Sequence, residues 1–345
     1  MPGRVRKQSS PTMTDVAKHA GVAPMTVSRA LQDDPRVLPA TRAKVLASVE
    51  ALGYRLNEVA RSLRAGQSSD LLGLVVTNLA NPFYSQLALG VDSLAAEHGM
   101  KLVLGNTGED PGREKELVDD LVSRRVSGII VVPAGSDHAH LRPAVLDGTP
   151  VVLAARPPSG ADLDCVLVDD FGGSLAATSL LTAAGHRRIG FLGPSPNLWT
   201  SAERFRGFST ALAESGLAVD ERHVRFGLRD ISAAERAAAE LLQLPDPPTA
   251  LFTANNRNTI GAIRAITGTR PGTALAGFDD FELADMLGVS LTVVAYDPAE
   301  VGVQAARLLI DRISHPDDDT PPQRTVVPTT LTHYGQPLQP APSQT

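Results

Sequence analysis

The chain has 345 residues, 43% of them hydrophobic, and its single cysteine is Cys165. This length and composition suit two or three domains with apolar cores, and one cysteine excludes an internal disulfide or a zinc site built on several thiolates. No uncharged apolar run reaches the roughly 18 residues of a membrane-spanning helix, and the basic start is not followed by the apolar segment of a secretory signal, so we expect a globular cytoplasmic protein without a membrane partner.

Charge is divided unevenly along the chain. Residues 1–66 carry 11 Lys and Arg against 5 Asp and Glu, a net charge of +6, whereas the remaining residues carry 21 against 33, a net charge of −12. A basic amino-terminal segment on an acidic body suggests a nucleic-acid partner for that segment alone.

Residues 15–31, "DVAKHAGVAPMTVSRAL", contain two short helical patterns with a turn at Gly21 between them. A third pattern over residues 39–52 offers apolar side chains that can close a small three-helix core. An α-helix fits the major groove of B-DNA, where arginine can bond to both acceptors of a guanine. The side of the second helix opposite its apolar face carries Met25, Ser28 and Arg29. The spacing alone is equally compatible with an ordinary helical hairpin.

Residues 57–64, "NEVARSLR", are predicted to form a short helix capped by Asn57, which at about two turns would be marginal in isolation. Residues 67–70, "QSSD", are predicted to be a short linker. The proline-rich end, residues 336–345, is predicted to be disordered.

From Leu71 onward, short apolar runs alternate with amphipathic helical stretches such as residues 111–126 and 232–242. This alternation predicts an α/β body whose parallel strands are covered on both faces. The body has room for two doubly wound lobes with a break near residues 169–173, and two facing lobes would share a cleft at the carboxyl ends of their strands. The apolar runs are "LLGLVV", "KLVLGN", "GIIVVP", "PVVLAA", "CVLVDD", "IGFLGP", "ALFTAN" and "TALAGFD".

Aromatic and polar residues near the strand ends suggest what the cleft binds. In "NPFYSQ", Phe83 or Tyr84 offers a flat apolar face for a sugar ring or a base. Three strings, "ERFRGF", "TANN" and "GFDD", place Arg204, Asn255 and Asp279 at strand ends or helix starts, and this set of donors and acceptors suits the hydroxyls of a carbohydrate. A mutual ion pair between Arg204 and Asp279 is the alternative.

Six strings occur in order along the chain: "MTDVAKHAGVAPMTVSRAL", "TRAKVLASVEALGYRLNEVARSLR", "IGFLGP", "ERFRGF", "TANN" and "GFDD". Together they resemble the lactose-repressor (LacI/GalR) family of bacterial transcription regulators over roughly residues 12–332. The domains that this resemblance implies are a helix-turn-helix DNA-binding domain over residues 12–56, a hinge helix over 57–66 and an effector-binding and dimerisation domain over 67–335. The lobes that it implies are approximately residues 70–168 with 297–332, and residues 169–296.

The resemblance also makes residues 24–31 the recognition helix, with Met25 and Arg29 as base-reading side chains. Pro24 lies where the family often reads bases, and a proline there offers only apolar contact. The hinge helix would pair with its copy in a dimer and insert Leu63 into the minor groove, which favours flexible steps such as CG; a plain linker helix is the alternative. The residues implied at the DNA are Thr12, Pro24, Met25, Thr26, Ser28, Arg29, Asn57, Ala60 and Leu63.

Two departures from the family pattern concern helix starts. Ala23 and Leu38 stand where serine is usual, and losing such a cap typically costs about 1 kcal/mol. Pro24 and Pro39 follow them, and proline is a favourable first residue of a helix. We therefore expect both helices to form.

Two further departures concern the cleft and leave the ligand class open. Ala155 replaces a usual carboxylate, and Asn256 replaces a usual aspartate. A neutral sugar or polyol is our first expectation; a nucleoside, a sugar phosphate held by Arg156, or no ligand at all are the alternatives. Trp199, which precedes Arg204, either covers the pocket or lies in a surface loop. The expected effector-binding residues are Phe83, Tyr84, Arg156, Trp199, Arg204, Asn255 and Asp279.

We therefore predict a ligand-responsive transcription regulator that acts as a homodimer, or as a tetramer, on a palindromic double-stranded operator. Repression with release by a sugar-like effector is the expected mode, co-repression by the ligand is the alternative, and no cofactor or metal is expected. A solute-binding protein of the transport type shares the two-lobed body, but it would not carry a DNA-reading segment. An enzyme would need Asp279 and Asp280 as acid and base, and adjacent residues in a turn rarely face one ligand.

Overall fold

The computed structural model describes residues 11–31, 33–54, 69–335, 337 and 340–341. The chain divides into two compact units, Met1–Ser68 and Ser69–Thr345. The predicted hinge helix, with Asn57, Ala60 and Leu63, lies outside the described residues, as does most of the predicted disordered tail.

The first unit contains three helices around a small apolar core. They are α1 (Met13–Ala20), α2 (Pro24–Ala30) and α3 (Pro39–Leu52). Val16, Val27 and Val45, one from each helix, are completely buried in one shared apolar cluster. Gly21 ends α1 with a positive φ of 67°, a conformation that glycine adopts without strain. The predicted three-helix core is therefore confirmed.

The starts of these helices follow the sequence prediction. No side chain caps α2 at Ala23 or α3 at Leu38, and proline occupies the first turn of each helix. By contrast, α1 begins with a complete capping box, in which the Thr12 backbone N–H donates to Asp15 Oδ2 (2.9 Å) and Thr12 Oγ1 accepts from the Asp15 backbone N–H (3.3 Å). Thr12 Oγ1 also donates to Asp15 Oδ2 (2.6 Å). The recognition helix predicted over 24–31 ends one residue early, with Leu31 as its C-cap.

The second unit is an α/β body with two six-stranded sheets. Its strands are β1 (Leu71–Val76), β2 (Lys101–Asn106), β3 (Gly128–Val131), β4 (Val151–Ala154), β5 (Asp164–Val168), β6 (Ile189–Leu192), β7 (Val224–Arg225), β8 (Ala250–Thr253), β9 (Ala274–Phe278), β10 (Leu291–Ala295), β11 (Arg324–Val327) and β12 (Thr330–Tyr334). Its helices are α4 (Pro82–Glu97), α5 (Pro111–Ser123), α6 (Asp170–Ala183), α7 (Trp199–Glu214), α8 (Ile231–Leu242), α9 (Asn256–Thr269) and α10 (Pro298–Ser314). Short 3₁₀ turns occupy Ala139–Leu141, Pro143–Val145, Glu221–His223 and Ala284–Met286.

The two sheets have the order β11-β5-β4-β3-β1-β2 and β12-β10-β9-β8-β6-β7. Every pairing is parallel except that of β12 with β10. The central strands read as continuous apolar runs because helices cover both of their faces. The two doubly wound lobes predicted from the sequence are therefore confirmed.

The carboxyl-terminal segment crosses between the lobes twice. Helix α10 packs on α4 and on the first sheet, and β11 extends that sheet beside β5. The sequence analysis assigned residues up to 332 to the first lobe, and this is wrong for the last strand, because β12 pairs with β10 in the second sheet. A short polar-apolar run such as "TLTHY" carries no signal of which sheet edge it will join.

Close packing of α10 on α4 depends on glycine. A Cβ at Gly302 would overlap the Leu87 carbonyl oxygen, and a Cβ at Gly90 would overlap the Ala299 carbonyl oxygen. Cys165 is buried in the core of the first lobe. Among the described residues, no helix is long and apolar enough to cross a membrane.

Candidate functional site

The outer side of α2 presents most of the side chains predicted to meet DNA. Pro24, Met25 and Arg29 are exposed, and Met25 keeps 63% of its surface accessible. Thr26 and Ser28 are half-buried on the same helix. Thr12 differs from these, because its hydroxyl is already bonded in the α1 cap. The helix therefore offers an exposed arginine, a flexible apolar side chain and a proline ring.

Asp34, in the turn before α3, orients two arginines near this surface. Arg36 binds it through Nε (3.0 Å to Oδ1) and Nη2 (2.7 Å to Oδ2), and Arg29 Nε lies 4.0 Å from Oδ2. The hydrogen bonds from the side chain and backbone of Arg36 lower the pKa of Asp34 to about 2. Sequence reasoning missed Arg36, which is 73% exposed and extends the cationic surface beyond α2.

In the second unit, a cavity of about 750 Å³ lies at the carboxyl ends of the strands of both sheets. This volume falls within the range of small-molecule sites. Six of the seven predicted effector residues line it: Phe83, Tyr84, Arg156, Arg204, Asn255 and Asp279. The cleft expected from the two-lobed topology is therefore present, and the chain brings the predicted residues together there.

Arg204, on α7, is the centre of the polar wall of the second lobe. Its Nε donates to Asp170 Oδ1 (2.6 Å), and its Nη1 donates to Asp279 Oδ2 (3.2 Å) and to the Ala254 carbonyl (2.6 Å). The guanidinium also stacks on the Phe278 ring, 3.7 Å from the ring centroid. The ion pair considered in the sequence analysis exists, and Asp170 is a second carboxylate that sequence reasoning did not find.

Two carboxylates share this one guanidinium in a buried setting. Burial raises the pKa of Asp170 to about 7 against the opposing pull of Arg204, and Asp170 Oδ2 has no hydrogen-bond partner among the described residues. Asp279, at a positive φ of 66°, also accepts from the Tyr296 hydroxyl (2.8 Å). Burial raises the pKa of Tyr296 as well, so its hydroxyl stays neutral and acts as a donor.

The first lobe contributes an ion pair and two neighbouring aromatic rings, those of Phe83 and Tyr84, which form an aromatic corner. Arg156 binds Glu109 through both Nη atoms at 2.9 Å and also donates to the Pro133 carbonyl. Phe83 meets Tyr84 edge-on with 5.0 Å between ring centroids, and it lies 6.2 Å from Tyr296. Because Glu109 balances its charge and three of its five N–H donors are bonded within the protein, Arg156 is poorly suited to hold the phosphate of a sugar phosphate.

Family models match both units of the chain. One, described as "Bacterial regulatory proteins, lacI family", matches residues 12–57, and another, "Periplasmic binding proteins and sugar binding domain of LacI family", matches residues 69–334. The chain belongs to the LacI family.

Individual relatives agree with this assignment. The regulator GalR of Escherichia coli is 33% identical over 87% of this chain and 88% of its own length. The catabolite control protein A of Priestia megaterium is 31% identical over 86% of this chain and 91% of its own length. GalR is an HTH-type transcriptional regulator by name, and with both family models matched this LacI-family chain is a DNA-binding transcriptional regulator with a sugar-binding type of domain. The transport-receptor alternative is not favoured.

Solved structures lead to the same fold. A complex of the transcriptional regulator CelR with cellobiose is 31% identical, with a TM-score of 0.69 over 93% of this chain and 98% of that one. The lac repressor dimer bound to operator and an anti-inducer is 26% identical, with a TM-score of 0.76 over 94% of this chain and 98% of that one.

Trp199 is the one predicted effector residue of this LacI-family protein that does not line the cavity. It begins α7 instead of lying in a loop, and it packs half-buried against an apolar cluster of the first lobe. Its neighbours Leu198 and Thr200 line the cavity in its place. Consecutive side chains at a helix start point in different directions, so proximity to Arg204 in sequence was a poor guide.

The two lobes also touch through the starts of α4 and α9. Asn256 Nδ2 donates to Asn81 Oδ1 (3.0 Å), and Arg257 Nη1 donates to the Ala80 carbonyl (3.1 Å). Asn81 Oδ1 also accepts the Phe83 backbone N–H (3.1 Å), which fixes the orientation of the amide. Asn256, noted from the sequence only as a departure from the family pattern, is therefore a contact between the lobes.

Asn255 and Asp280 have local partners. Asn255 lines the cavity while its Oδ1 accepts the Asn258 N–H (2.8 Å) and caps α9. Asp280 accepts from the Tyr334 hydroxyl (2.7 Å) and is absent from the cavity lining, whereas Asp279 lines it. The neighbouring carboxylates thus have different partners. No group of three or more His, Cys, Asp or Glu in the described part of the chain is placed to hold a metal ion.

Proposed function

We propose that this regulator is a homodimeric repressor that binds a palindromic operator through α2 and releases it when a sugar-like effector occupies the cleft. It carries out no chemistry on that ligand. The observation that carries the proposal is the Arg204 network with Asp170 and Asp279, set opposite the Phe83 and Tyr84 corner in one cavity. Charged and amide groups beside aromatic faces suit a ring that bears several hydroxyls.

The same network supports a response to the ligand as well as binding. Arg204, Asp279 and Tyr296 are already hydrogen-bonded to one another, so a ligand hydroxyl that bonds to Asp279 exchanges with hydrogen bonds already present. An exchange of this kind alters which side chains hold the second lobe to the ligand. A ligand that prefers one arrangement of the lobes shifts the protein towards it.

Exposed apolar side chains support the dimer. In the loop after β9, Leu283 and Met286 keep 63% and 74% of their surfaces accessible, and Leu287 lies beside them. Leu89 on α4 and Leu104 on the edge strand β2 are also exposed. Exposed apolar side chains grouped in one segment, as in the loop after β9, commonly mark an interface between proteins, and a twofold dimer matches a palindromic operator.

The DNA-binding roles rest on exposure and chemistry at α2. Arg29 is our base-reading residue, Met25 and Pro24 provide apolar contact, and Thr26 and Ser28 contact phosphates or base edges. For the hinge, we propose the roles that the family resemblance implies, with Leu63 as a wedge at a CG step. The domain boundaries at residues 56 and 66 belong to this proposal, as does a location in the cytoplasm, where the operator would be.

Selection of genomic DNA fragments by the full-length protein, followed by sequencing, tests the proposal. We expect enrichment of a palindrome with a central CG step. The selection is repeated with the Arg29→Ala variant and with Arg124→Ala, a control that removes an exposed, locally paired arginine just after α5. Enrichment that is non-palindromic, or that survives Arg29→Ala unchanged, contradicts the proposed reading of DNA.

A further inference from the structure

Four arginines line the cleft, and they differ in how their charge is balanced. Arg156 is paired with Glu109, and Arg204 is shared by Asp170 and Asp279. The other two cavity-lining arginines, Arg229 and Arg257, have no carboxylate within ion-pair distance among the described residues.

Arg229 and Arg257 lie at the same end of the cavity. The Asn258 side chain donates to the Leu228 carbonyl (3.3 Å), which holds the turn of residues 227–229 against the start of α9. Each arginine is the immediate chain neighbour of one partner in that hydrogen bond. We call this region the Arg229–Arg257 end.

Arg257 is held in place with hydrogen-bonding capacity left over. Its Nη1 donates to the Ala80 carbonyl of the other lobe (3.1 Å), while its Nε is buried with no hydrogen-bond partner in the part of the chain that the structure describes. Arg229 is exposed at the rim of the cavity. A guanidinium presents its donors as a planar fork that matches the oxygens of a phosphate or a carboxylate.

The cavity is therefore polarised. All three carboxylates of its lining, Glu109, Asp170 and Asp279, are engaged with the paired arginines, so they do not compensate the Arg229–Arg257 end. A neutral polyol could satisfy the Arg204 network, but it would leave two cations at one end of the cleft without a counterion.

We propose that the Arg229–Arg257 end binds an anionic group of the effector, which makes the effector a sugar phosphate or a sugar acid. This inference rests on the proposed function, because it concerns the same cleft. It assigns the binding of the anion to two arginines whose charge is not balanced by the protein, instead of to Arg156, the residue suggested by the sequence. The hydroxylated ring of the ligand would lie against the Arg204 network, and its anionic substituent would point towards α9.

Matched ligand series test the proposal on the full-length protein. Two series contain a neutral sugar, its phosphate and its acid: glucose, glucose 6-phosphate and glucuronate; galactose, galactose 1-phosphate and galacturonate. A third contains fructose and its 1- and 6-phosphates. Binding is followed by calorimetry and by the emission of Trp199, the single tryptophan, which packs across the lobes. Inorganic phosphate alone is titrated as a further probe.

We expect an anionic member of at least one series to bind at least tenfold more tightly than its neutral parent. The advantage should shrink between 50 and 300 mM NaCl, because Arg229 is exposed and salt screens exposed charges. The phosphate and the acid of a series distinguish the two anions. A neutral parent that binds as tightly as its anionic partners, or no binding by any anionic member at 10 mM, overturns the proposal.

Arginine variants assign the effect to this end of the cleft. Arg257→Gln and Arg229→Gln should each reduce the anionic advantage to less than threefold, and Arg229→Gln, at an exposed position, guards against a folding defect in the other. Arg264→Gln is the control, because Arg264 lies on the same helix, pairs with Glu235 (3.6 Å) and does not line the cavity. An advantage that survives both cavity variants contradicts the proposal.

The proposed function can fail separately from this inference. Release of the operator by a neutral sugar, with no preference for its phosphate or acid, agrees with the proposed repressor function and contradicts the proposed anionic subsite. Operator affinity that is unchanged by every ligand that binds the cleft contradicts the proposed function itself.

Discussion

On α2, Met25 and Arg29 project into solvent, whereas in the cleft Arg204 and Asp279 are buried and bonded to each other. DNA would thus add contacts to side chains that are still largely open to water. An effector must instead compete with hydrogen bonds that the protein has already made. Changes on the helix should act on DNA affinity alone, while changes in the cleft should act on the response to ligand.

The largest expected effect comes from Asp279→Ala. Removing this carboxylate leaves the Tyr296 hydroxyl without its acceptor and Arg204 with one carboxylate instead of two, and it removes an acceptor for the ligand. We expect loss of the effector response, with operator affinity within about twofold of the wild type. Gel-shift titrations on the selected operator, with and without effector, measure both quantities.

Asp280→Ala is the matched control for that variant, since Asp280 bonds to Tyr334 and does not line the cavity. It should respond to effector normally. A normal response by Asp279→Ala would place Asp279 outside the binding site and remove the contrast between the helix and the cleft.

Arg29→Ala should weaken binding to the selected operator by about 10- to 100-fold, equivalent to about 1–3 kcal/mol, and relax specificity at one base position. Its affinity for random DNA should change much less, because the variant loses a contact to one base and keeps its contacts to the phosphates. Fluorescence anisotropy with specific and random duplexes measures the two affinities. Equal weakening on both would mean that Arg29 contacts only the backbone.

Asp170→Asn tests how burial acts on the cleft network. In the folded chain the pKa of Asp170 is about 7, whereas in the unfolded chain the pKa of the same carboxyl is the ordinary 3.8. Between these values the folded state binds more protons, so this group makes the protein less stable as pH rises. The asparagine variant lacks this loss.

The free energy of unfolding of Asp170→Asn, relative to wild type, should therefore increase by about 2 kcal/mol between pH 5 and pH 8. Urea denaturation at both pH values measures it. Asp119→Asn, at an exposed position on α5, should show no comparable trend. A relative stability of Asp170→Asn that falls as pH rises would mean that Arg204 outweighs burial at this site.

The smallest expected effect is that of Asn256→Asp. The new carboxylate would face Asn81 Oδ1, which cannot turn away because it accepts the Phe83 N–H. Contact between the lobes should weaken, and effector affinity should fall about tenfold, a loss of about 1.4 kcal/mol. Trp199 emission should shift to longer wavelength as its packing across the lobes loosens. Gln243→Glu adds the same charge at an exposed position and should change neither quantity.

Much of this molecule could be predicted from its sequence, because local patterns determine it. Continuous apolar runs predicted the strands, and the Ala23–Pro24 and Leu38–Pro39 pairs predicted helix starts without side-chain caps. Arg204 and Asp279 were found because each belongs to a short recognisable string.

The missed residues depend on contacts between distant segments. Asp170 meets Arg204 across 34 residues, and Glu109 meets Arg156 across 47. Tyr296 reaches Asp279 from the end of a neighbouring strand. No local pattern encodes these pairings, since each carboxylate or hydroxyl is unremarkable until the sheets bring it to the cleft. Trp199 was misplaced for a related reason, because the direction of a side chain at a helix start depends on the exact first residue.

The most direct test of the central claim is a reciprocal titration on the full-length protein. Operator affinity is measured with and without saturating effector, and effector affinity is measured with and without saturating operator. If the cleft controls the DNA-binding unit, both affinities should weaken by the same factor, between about 5- and 150-fold for a coupling of about 1–3 kcal/mol. Operator affinity that is unchanged by a ligand shown to occupy the cleft would contradict the account.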